Sequence, residues 1–458
     1  MMSERKISKA KIHLVTIENL VPEDDYLRKV ESILDFSFIY DEVRDLYSKN
    51  NGRPSIDPVV LIKYLLLGYL EGIPSERKIE IQIKRTPAYR WFLGLELDDP
   101  VPDHSTISQN RRRRFNGQNV YRRIFERIVY QCLQNGLASG KVILTDSTHI
   151  KANASKKHNV KIMVEEKAKE YMKRLDKYEK EERKYLEEKG LIKPQRLRKK
   201  DKKPKMIERT ISLTDPDAGM LNRPNKPSGM HYLSHQSIDA KNGIIVDVEV
   251  TPGNVSDSEP YLDRVEYMKN HLKLPIKALG VDSMYGTSLI CKSTEDMELE
   301  LYTPDKQIGG STCKVEFTRE YFKYDKEKNH FICPMGKYLT LRSLEREKYN
   351  TSRIYRAKTE DCINCPLSKK CLSESQKSRT IRGNIFEDSV KRQRQKNGTP
   401  KHKQILRLRQ IWCEGSFSAQ KRMYNLNCLF RRGIEAAEDH CLMSAIALNL
   451  KRMIKFMG

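Results

Sequence analysis

Three carboxylates stand in segments whose neighbours suit a metal-dependent phosphoryl-transfer site. Asp146 ends the apolar run KVILTD, Asp282 ends the run KALGVD, and Glu414 lies in the basic segment RLRQIWCEGSFSAQKR. The first two contexts predict short strands that end in a carboxylate, and the third predicts a helix. Mg²⁺ held by carboxylates can stabilise both the attacking and the leaving oxygen of a phosphodiester. Each acid alone has little weight among 61 Asp and Glu residues, because most such acids are surface or capping groups.

Cations accompany Glu414 along its predicted helix. Arg407, Glu414 and Lys421 are each seven residues apart, and seven residues of α-helix rotate by about 700°, which returns them to one face. We therefore expect Arg407 and Lys421 to contact DNA phosphates beside a metal-binding acid. The alternative is a basic amphipathic helix in which Glu414 only balances the local charge.

The composition favours a polyanionic partner. The 458 residues include 86 Lys and Arg against 61 Asp and Glu, a net charge of +25. Such an excess binds nucleic acid through phosphate neutralisation, although a solvated basic surface is the simpler alternative.

The longest apolar stretch, PVVLIKYLLLGYL, is interrupted by Lys63 and falls short of the roughly 20 residues that span a bilayer. We expect a soluble, cytoplasmic, nucleoid-associated protein without membrane contact, and the lack of a Gly-rich phosphate loop gives no indication of ATP use.

The chain divides into four predicted regions. Residues 1–135 predict an all-α domain whose segment PDHSTISQNRRRR suits a DNA-binding module or, alternatively, a packing or dimerisation face. Residues 136–305 predict an α/β unit with the order strand-strand-strand-helix-strand, which is expected of an RNase H-like core with a mixed sheet flanked by helices. A charged helical insertion is predicted over about 158–208, a second insertion over 306–400, and C-terminal core helices over 401–458. The candidate DNA-binding residues of the first region are Arg111, Arg112, Arg113 and Arg114.

Four cysteines in the second insertion have the spacing of a metal site. Cys333 lies in FICPMG, and Cys362, Cys365 and Cys371 lie in DCINCPLSKKC. Four thiolates suit tetrahedral Zn²⁺, and the nearby Pro and Gly allow tight turns. The alternatives are buried unreactive thiols or disulfides.

Five motifs in order resemble insertion-sequence transposases of the DDE type from bacteria. They are TDSTHIKANAS, SLTDPDAG, GIIVDVEVTPGNVSDS, GVDSMYGT and EGSFSAQKR, and GRPSIDPVVLIKYLLLGYLEG and PDHSTISQNRRRR resemble the N-terminal domain common in that group. The resemblance implies an RNase H-like core with two Mg²⁺ or Mn²⁺ ions. By position, Asp146 and Asp282 match the two aspartates, Glu414 the glutamate, and Lys421 the lysine that follows it. Some members carry Tyr and Arg ahead of the glutamate, where this chain has Arg407 and Gln410.

The resemblance also implies an activity and partners. We expect a DNA transposase that cuts element ends by metal-dependent phosphodiester hydrolysis and joins them to target DNA by strand transfer. The implied partners are terminal inverted repeats, target DNA and a second copy of the chain in a synaptic complex. Three alternatives remain open: a catalytically inactive or repurposed DNA-binding protein, a plain RNase H-like nuclease, and a zinc-stabilised structural protein in which the acids are incidental.

Overall fold

The computed structural model describes residues 2, 14–48, 50–52, 54–155, 157–165, 170–194, 206–223, 227–304, 316–347, 349–373 and 376–457. The α-helices described there are α1 (Ile17–Leu20), α2 (Tyr26–Ile33), α3 (Phe38–Val43), α4 (Pro58–Leu70), α5 (Glu76–Arg85), α6 (Pro87–Leu93), α7 (His104–Asn110), α8 (Val120–Gln134), α9 (Glu170–Glu188), α10 (Tyr261–Asn270), α11 (Ser288–Asp296), α12 (Thr359–Ile363), α13 (Ser368–Cys371), α14 (Glu387–Arg394), α15 (Pro400–Arg409), α16 (Gly415–Met423) and α17 (Ile434–Met457). Short 3₁₀ turns cover Arg44–Leu46, Ser283–Tyr285 and Arg319–Tyr321, and π-helical turns cover Arg111–Phe115 and Gln410–Glu414. The strands are β1 (Val142–Lys151), β2 (Asn159–Glu165), β3 (Met206–Ser212), β4 (Gly219–Leu221), β5 (Gly229–Asp239), β6 (Ile245–Pro252), β7 (Ala278–Gly280), β8 (Glu300–Tyr302), β9 (Lys323–Asp325), β10 (His330–Ile332), β11 (Tyr338–Glu347), β12 (Asn350–Ala357) and β13 (Thr380–Asn384).

A six-stranded mixed sheet forms the centre of the fold. Its order is β4-β5-β1-β7-β8, with β6 also paired to β5. Strands β4, β5, β1 and β6 pair antiparallel, whereas β7 runs parallel to β1 and β8 parallel to β7. Helix α10 connects β6 to β7, so the predicted order strand-strand-strand-helix-strand is confirmed, and this mixed α/β arrangement is consistent with an RNase H-like core.

Helices cover the sheet and join it to the N-terminal part of the chain. Helix α17 packs against β6 and also against α2, α4 and α8. One hydrophobic cluster therefore runs from Ile62 of α4 and Phe125 of α8 to Ile143 of β1 and Leu450 of α17. Neither α17 nor any other helix in the described ranges is long and apolar enough to cross a membrane.

Two local expectations need correction. Strand β1 continues to Lys151, so Asp146 lies within the strand and not at its end. The predicted insertion over about 158–208 contains helix α9, but β2 and β3 on either side of it form an antiparallel ribbon. The β-branched residues Val160, Ile162 and Val164 at alternate positions of NVKIMVE favour a strand, a pattern that the long charged helix obscured. Residues 195–205 of this insertion lie outside the described residues.

The second insertion forms a separate antiparallel sheet. Its order is β13-β12-β11-β10-β9, and its hydrophobic cluster includes Phe331, Leu339 and Ile381. Helix α9 lies against β12, where Arg353 donates to Glu182 at 2.8 Å. The two insertions therefore contact each other beside the central sheet.

Gly243 provides a test of how the segment that carries Glu414 is fixed to the sheet. A Cβ at this position would overlap the indole ring of Trp412, and the glycine has φ +76°. We expect Gly243→Ala to lower the free energy of unfolding by about 3 kcal/mol, because backbone strain adds to a steric overlap. Gly398→Ala is the matched control, since Gly398 has φ +79° with nothing within 4 Å, and should cost about 1 kcal/mol. If urea denaturation showed the same loss of unfolding free energy in both variants, Trp412 would not be packed rigidly against Gly243.

Candidate metal centre and DNA-binding surfaces

Asp146 and Asp282 meet because their strands are neighbours in register. Leu144 of β1 pairs with Gly280 of β7 in the parallel ladder. Asp146 lies two residues beyond Leu144, and Asp282 lies two residues beyond Gly280. The two aspartates consequently stand at the same level, Asp146 within β1 and Asp282 just beyond the end of β7.

Each aspartate has one oxygen held by the backbone and one directed at a cation. Asp146 Oδ1 accepts from the Ser147 amide at 2.8 Å, and Asp282 Oδ1 accepts from the Met284 amide. The Nη2 of Arg409, the last residue of α15, lies 3.0 Å from Asp146 Oδ2 and 3.9 Å from Asp282 Oδ2. Sequence reasoning did not single out Arg409, because one arginine in a basic helix carries no distinguishing pattern.

The surroundings of Asp146 and Asp282 disfavour a negative charge on both carboxylates unless a cation compensates for it. Burial raises the pKa of Asp146 to about 6, against the lowering effect of Arg409, and Asp282 and Asp257 raise it further. The buried Tyr285 phenol lies near the same three acids, and its pKa is raised well above its usual value, chiefly by burial. Asp146, Asp257 and Asp282 thus form a group of acids in surroundings of low dielectric constant, and this arrangement favours the binding of a cation.

A cavity of about 830 Å³ opens onto these acids and also contains a third one. Asp257 lines it with Asp146 and Asp282. Both oxygens of Asp257 are occupied by Arg223, at 2.9 Å and 3.2 Å. Asp257 therefore fixes the cavity wall, and it does not cap α10, whose N-cap residue is Pro260.

Glu414 is not part of this cavity wall. It is exposed at the end of the π-helical turn Gln410–Glu414, and it is absent from the residues that line the cavity. Arg407 is exposed as well, and Lys421 is half-buried. The uniform α-helical spacing used to place Arg407 and Glu414 on one face does not hold, because the π-helical turn Gln410–Glu414 lies between them. From Glu414 to Lys421 the chain follows the regular helix α16.

The four arginines after α7 divide into two pairs. Arg111 pairs with Glu76, and Arg114 bonds Asn110 at 2.7 Å and stacks on Tyr47. Arg112 and Arg113 are exposed. The first pair therefore anchors the π-helical turn Arg111–Phe115, and the second pair is accessible to a ligand.

The cysteines of the second insertion gather around one small cavity. Cys333, Cys362, Cys365 and Cys371 all line a space of about 30 Å³. Burial and the neighbouring thiols raise the pKa of Cys371. The Sγ of Cys333 accepts from the Lys337 amide at 3.3 Å. Within the described residues, no three of these sulfurs lie within 4.8 Å of one another.

One group of possible metal ligands among the described residues was not anticipated. Glu80, Asp103 and His104 have ligand atoms within 4.8 Å of one another. Glu80 already accepts from the His104 amide at 3.0 Å, contacts its Nδ1 at 2.6 Å and pairs with Lys84. Asp103 caps α7 through the Ser105 amide. These contacts fasten α5 to the start of α7, so the group has a structural explanation.

Comparisons with known proteins give two family matches. Residues 15–113 match the family described as Transposase domain (DUF772), and residues 332–454 match the Transposase DDE domain. Glu414 and the four cysteines lie within the second match, whereas Asp146 and Asp282 lie between the two matched regions. No curated protein matches the chain significantly.

Two solved structures show weak similarity. The cryo-EM structure of the piggyBac transposase synaptic complex with hairpin DNA has a TM-score of 0.35 at 9% identity, over 94% of this chain and 76% of that one. The crystal structure of the Mos1 mariner paired end complex with Mn has a TM-score of 0.16 at 12% identity, over 56% of this chain and 62% of that one. TM-scores this low do not indicate a shared fold or function. The two family matches, however, indicate that the chain is a DDE-type transposase of insertion-sequence type.

Proposed function

We propose that this protein cuts the ends of a bacterial insertion sequence by metal-dependent phosphodiester hydrolysis and joins them to target DNA by strand transfer. One observation carries the proposal. Asp146 Oδ2, within β1, and Asp282 Oδ2, two residues beyond the end of the neighbouring parallel strand β7, face the same cationic nitrogen at the edge of a cavity of about 830 Å³. Two acids that share a cation at a rigid sheet are suited to hold a divalent ion.

The donor set fits Mg²⁺ or Mn²⁺. Both ions prefer carboxylate oxygens, and Asp146 and Asp282 each offer one oxygen that the backbone does not occupy. A bound pair of such ions would lower the pKa of the attacking water and stabilise charge on the leaving oxygen. The protein's own contribution is to hold the two aspartates in register on β1 and β7 and to shape the cavity beside them.

The third ligand of this centre is proposed to be Glu414. Asp257 is closer to the aspartates along the cavity wall, but Arg223 occupies both of its oxygens. Glu414 is exposed and does not line the cavity. Its carboxylate is therefore available to bind a metal ion once the segment that carries it approaches DNA and the metal. The π-helical turn that ends at Glu414 is the kind of local distortion often found at functional sites.

DNA is the proposed partner of the exposed Arg112, Arg113 and Arg407 and of the half-buried Lys421. Arg112 and Arg113 extend from the N-terminal helices, and Arg407 and Lys421 lie on the segment that carries Glu414. We assign these groups to the terminal inverted repeats and the target DNA, with two copies of the chain bringing two ends together. The site of action is then nucleoid DNA.

Neutralising the exposed arginine pair tests the DNA-binding assignment. We expect Arg112→Gln/Arg113→Gln to weaken binding to end DNA and to lower the slope of log K against log salt by about 2, because two phosphate contacts are lost. The matched control is Lys326→Gln/Lys328→Gln, which removes two exposed charges from the β9–β10 turn. The same loss in both variants, measured by fluorescence anisotropy across a salt series, would mean that only net charge matters.

Zn²⁺ is the proposed ligand of the four cysteines. They surround one small cavity, and a tetrahedral site would bring their sulfurs to about 3.8 Å from one another. The sheet β9–β13 has a small hydrophobic cluster of its own, so zinc would supply stability that this cluster lacks.

A cleavage assay tests the proposed function as a whole. Purified protein is incubated with labelled duplexes that carry the ends of the element, a target plasmid, and Mg²⁺ or Mn²⁺. Cleavage followed by joining supports the proposal. Cleavage without joining favours the nuclease alternative, and specific binding without cleavage favours an inactive DNA-binding protein.

A further inference from the structure

We infer that Arg409 is an internal counter-ion that occupies the place of a metal between Asp146 and Asp282 and has to leave when a divalent cation binds. This inference rests on the proposed metal centre. Its first support is geometric, since a single nitrogen, Nη2, contacts the Oδ2 atoms of both aspartates. These are the same two oxygens that the backbone leaves available.

The guanidinium is held at this place by charge more than by hydrogen bonds. Its Nε is buried and has no hydrogen-bond partner among the described residues. Its contacts with the two aspartates are both made by Nη2, at 3.0 Å and 3.9 Å. An arginine fixed for structural reasons usually uses its planar fork for two parallel bonds to one carboxylate, as Arg223 does with Asp257.

Electrostatics explains why the free chain keeps a cation here. Asp146 and Asp282 both lie within 4 Å of Arg409 Nη2, and their side chains are only 18% and 35% exposed. Two such carboxylates without a cation would repel each other in a medium of low dielectric constant. Arg409 removes that repulsion in the absence of metal, and for the same reason it competes with the metal.

Arg409 also has a means of leaving. It is the last residue of α15, and the π-helical turn Gln410–Glu414 follows it directly. The side chain is long, and a π-turn is a place where a helix changes register at low cost. Metal entry and movement of the turn that bears Glu414 would then be coupled through one residue.

The test measures Mn²⁺ binding by the full-length protein in the absence of DNA, with free Mn²⁺ followed by electron paramagnetic resonance. We expect Arg409→Gln to bind Mn²⁺ about tenfold more tightly than the unaltered chain, because a competing charge is gone. Arg409→Lys, which keeps the charge, should bind much as the unaltered chain does. Lys403→Gln is the control, since it removes an exposed charge from the same helix without a contact to either aspartate.

The outcomes separate this inference from the proposed function. If Asp146→Asn and the unaltered chain bind Mn²⁺ equally, the ion does not bind at Asp146 and the proposed centre is wrong. If Asp146→Asn loses binding but Arg409→Gln binds no more tightly than Lys403→Gln, the centre stands and the counter-ion inference is overturned.

A second measurement uses only the unaltered chain, so its result cannot be affected by misfolding of a variant. Phenylglyoxal modifies accessible arginines, and mass spectrometry of peptides locates the modified residues. Arg409 is 14% exposed in its side chain, so we expect little modification without metal and a clear increase at saturating Mn²⁺. Equal modification in both conditions would overturn the inference.

Discussion

Replacing Asp146 or Asp282 by asparagine is expected to slow both cleavage and joining by about 10³-fold or more, because each change removes a metal-binding oxygen without changing side-chain volume. DNA binding should persist, since the cations assigned to DNA lie on other elements. Single-turnover cleavage of labelled ends and an anisotropy titration on the same DNA measure the two effects separately.

The matched control for these variants is Asp388→Asn. Asp388 is an exposed aspartate of α14, so the same chemical change should leave both rates unaltered. The proposed centre would be contradicted if Asp282→Asn and Asp388→Asn cleaved DNA equally well. A variant that lost DNA binding and cleavage together would indicate damage to the fold and not to the centre, which the thermal unfolding midpoint would reveal.

Removing zinc is expected to have the second largest effect. Cys362→Ser, or treatment with a strong chelator, should unfold the sheet β9–β13, because structural zinc contributes about 10 kcal/mol or more to the folding of small zinc modules. Elemental analysis should find about one zinc per chain. Limited proteolysis should cut the variant within 316–400, where the unaltered chain resists.

Cys428→Ser is the control for the cysteine variants. Cys428 is half-buried and does not line the cavity shared by the four cysteines. Its replacement should change neither the zinc content nor the protease pattern. A zinc content near zero in a folded, reduced preparation would contradict the proposed zinc site.

Much of the central fold could be predicted because its strands follow simple patterns. Apolar runs such as ILT before Asp146 and KALGV before Asp282 identify buried strands, and β1 and β7 indeed lie side by side. Pro58 predicts the start of a strongly apolar helix, and α4 begins at this residue, with its first turn capped by Asp57. These features depend on local sequence, which is what pattern reasoning detects.

Other features depended on tertiary context and escaped prediction. The π-helical turn before Gly415 is invisible to a spacing rule that assumes a regular α-helix, so the position of Glu414 outside the cavity was not foreseen. Arg409 pairs with Asp146, which lies 263 residues earlier in the chain. Asp257 is held in the cavity wall by Arg223, which lies on another segment, so local sequence does not reveal its position. The assignment of Glu414 as the third ligand therefore stays a prediction.

Strand transfer from pre-cut ends tests the central claim most directly. Duplexes that mimic a cut element end, with either a 3′-hydroxyl or a 3′-deoxy terminus, are incubated with the unaltered chain, a supercoiled target plasmid and Mg²⁺. A centre that catalyses joining should attach only the 3′-hydroxyl duplex to the plasmid, and Asp282→Asn should attach neither. Failure to join the 3′-hydroxyl duplex under conditions in which the protein binds it, or joining that survives Asp282→Asn, would contradict the account.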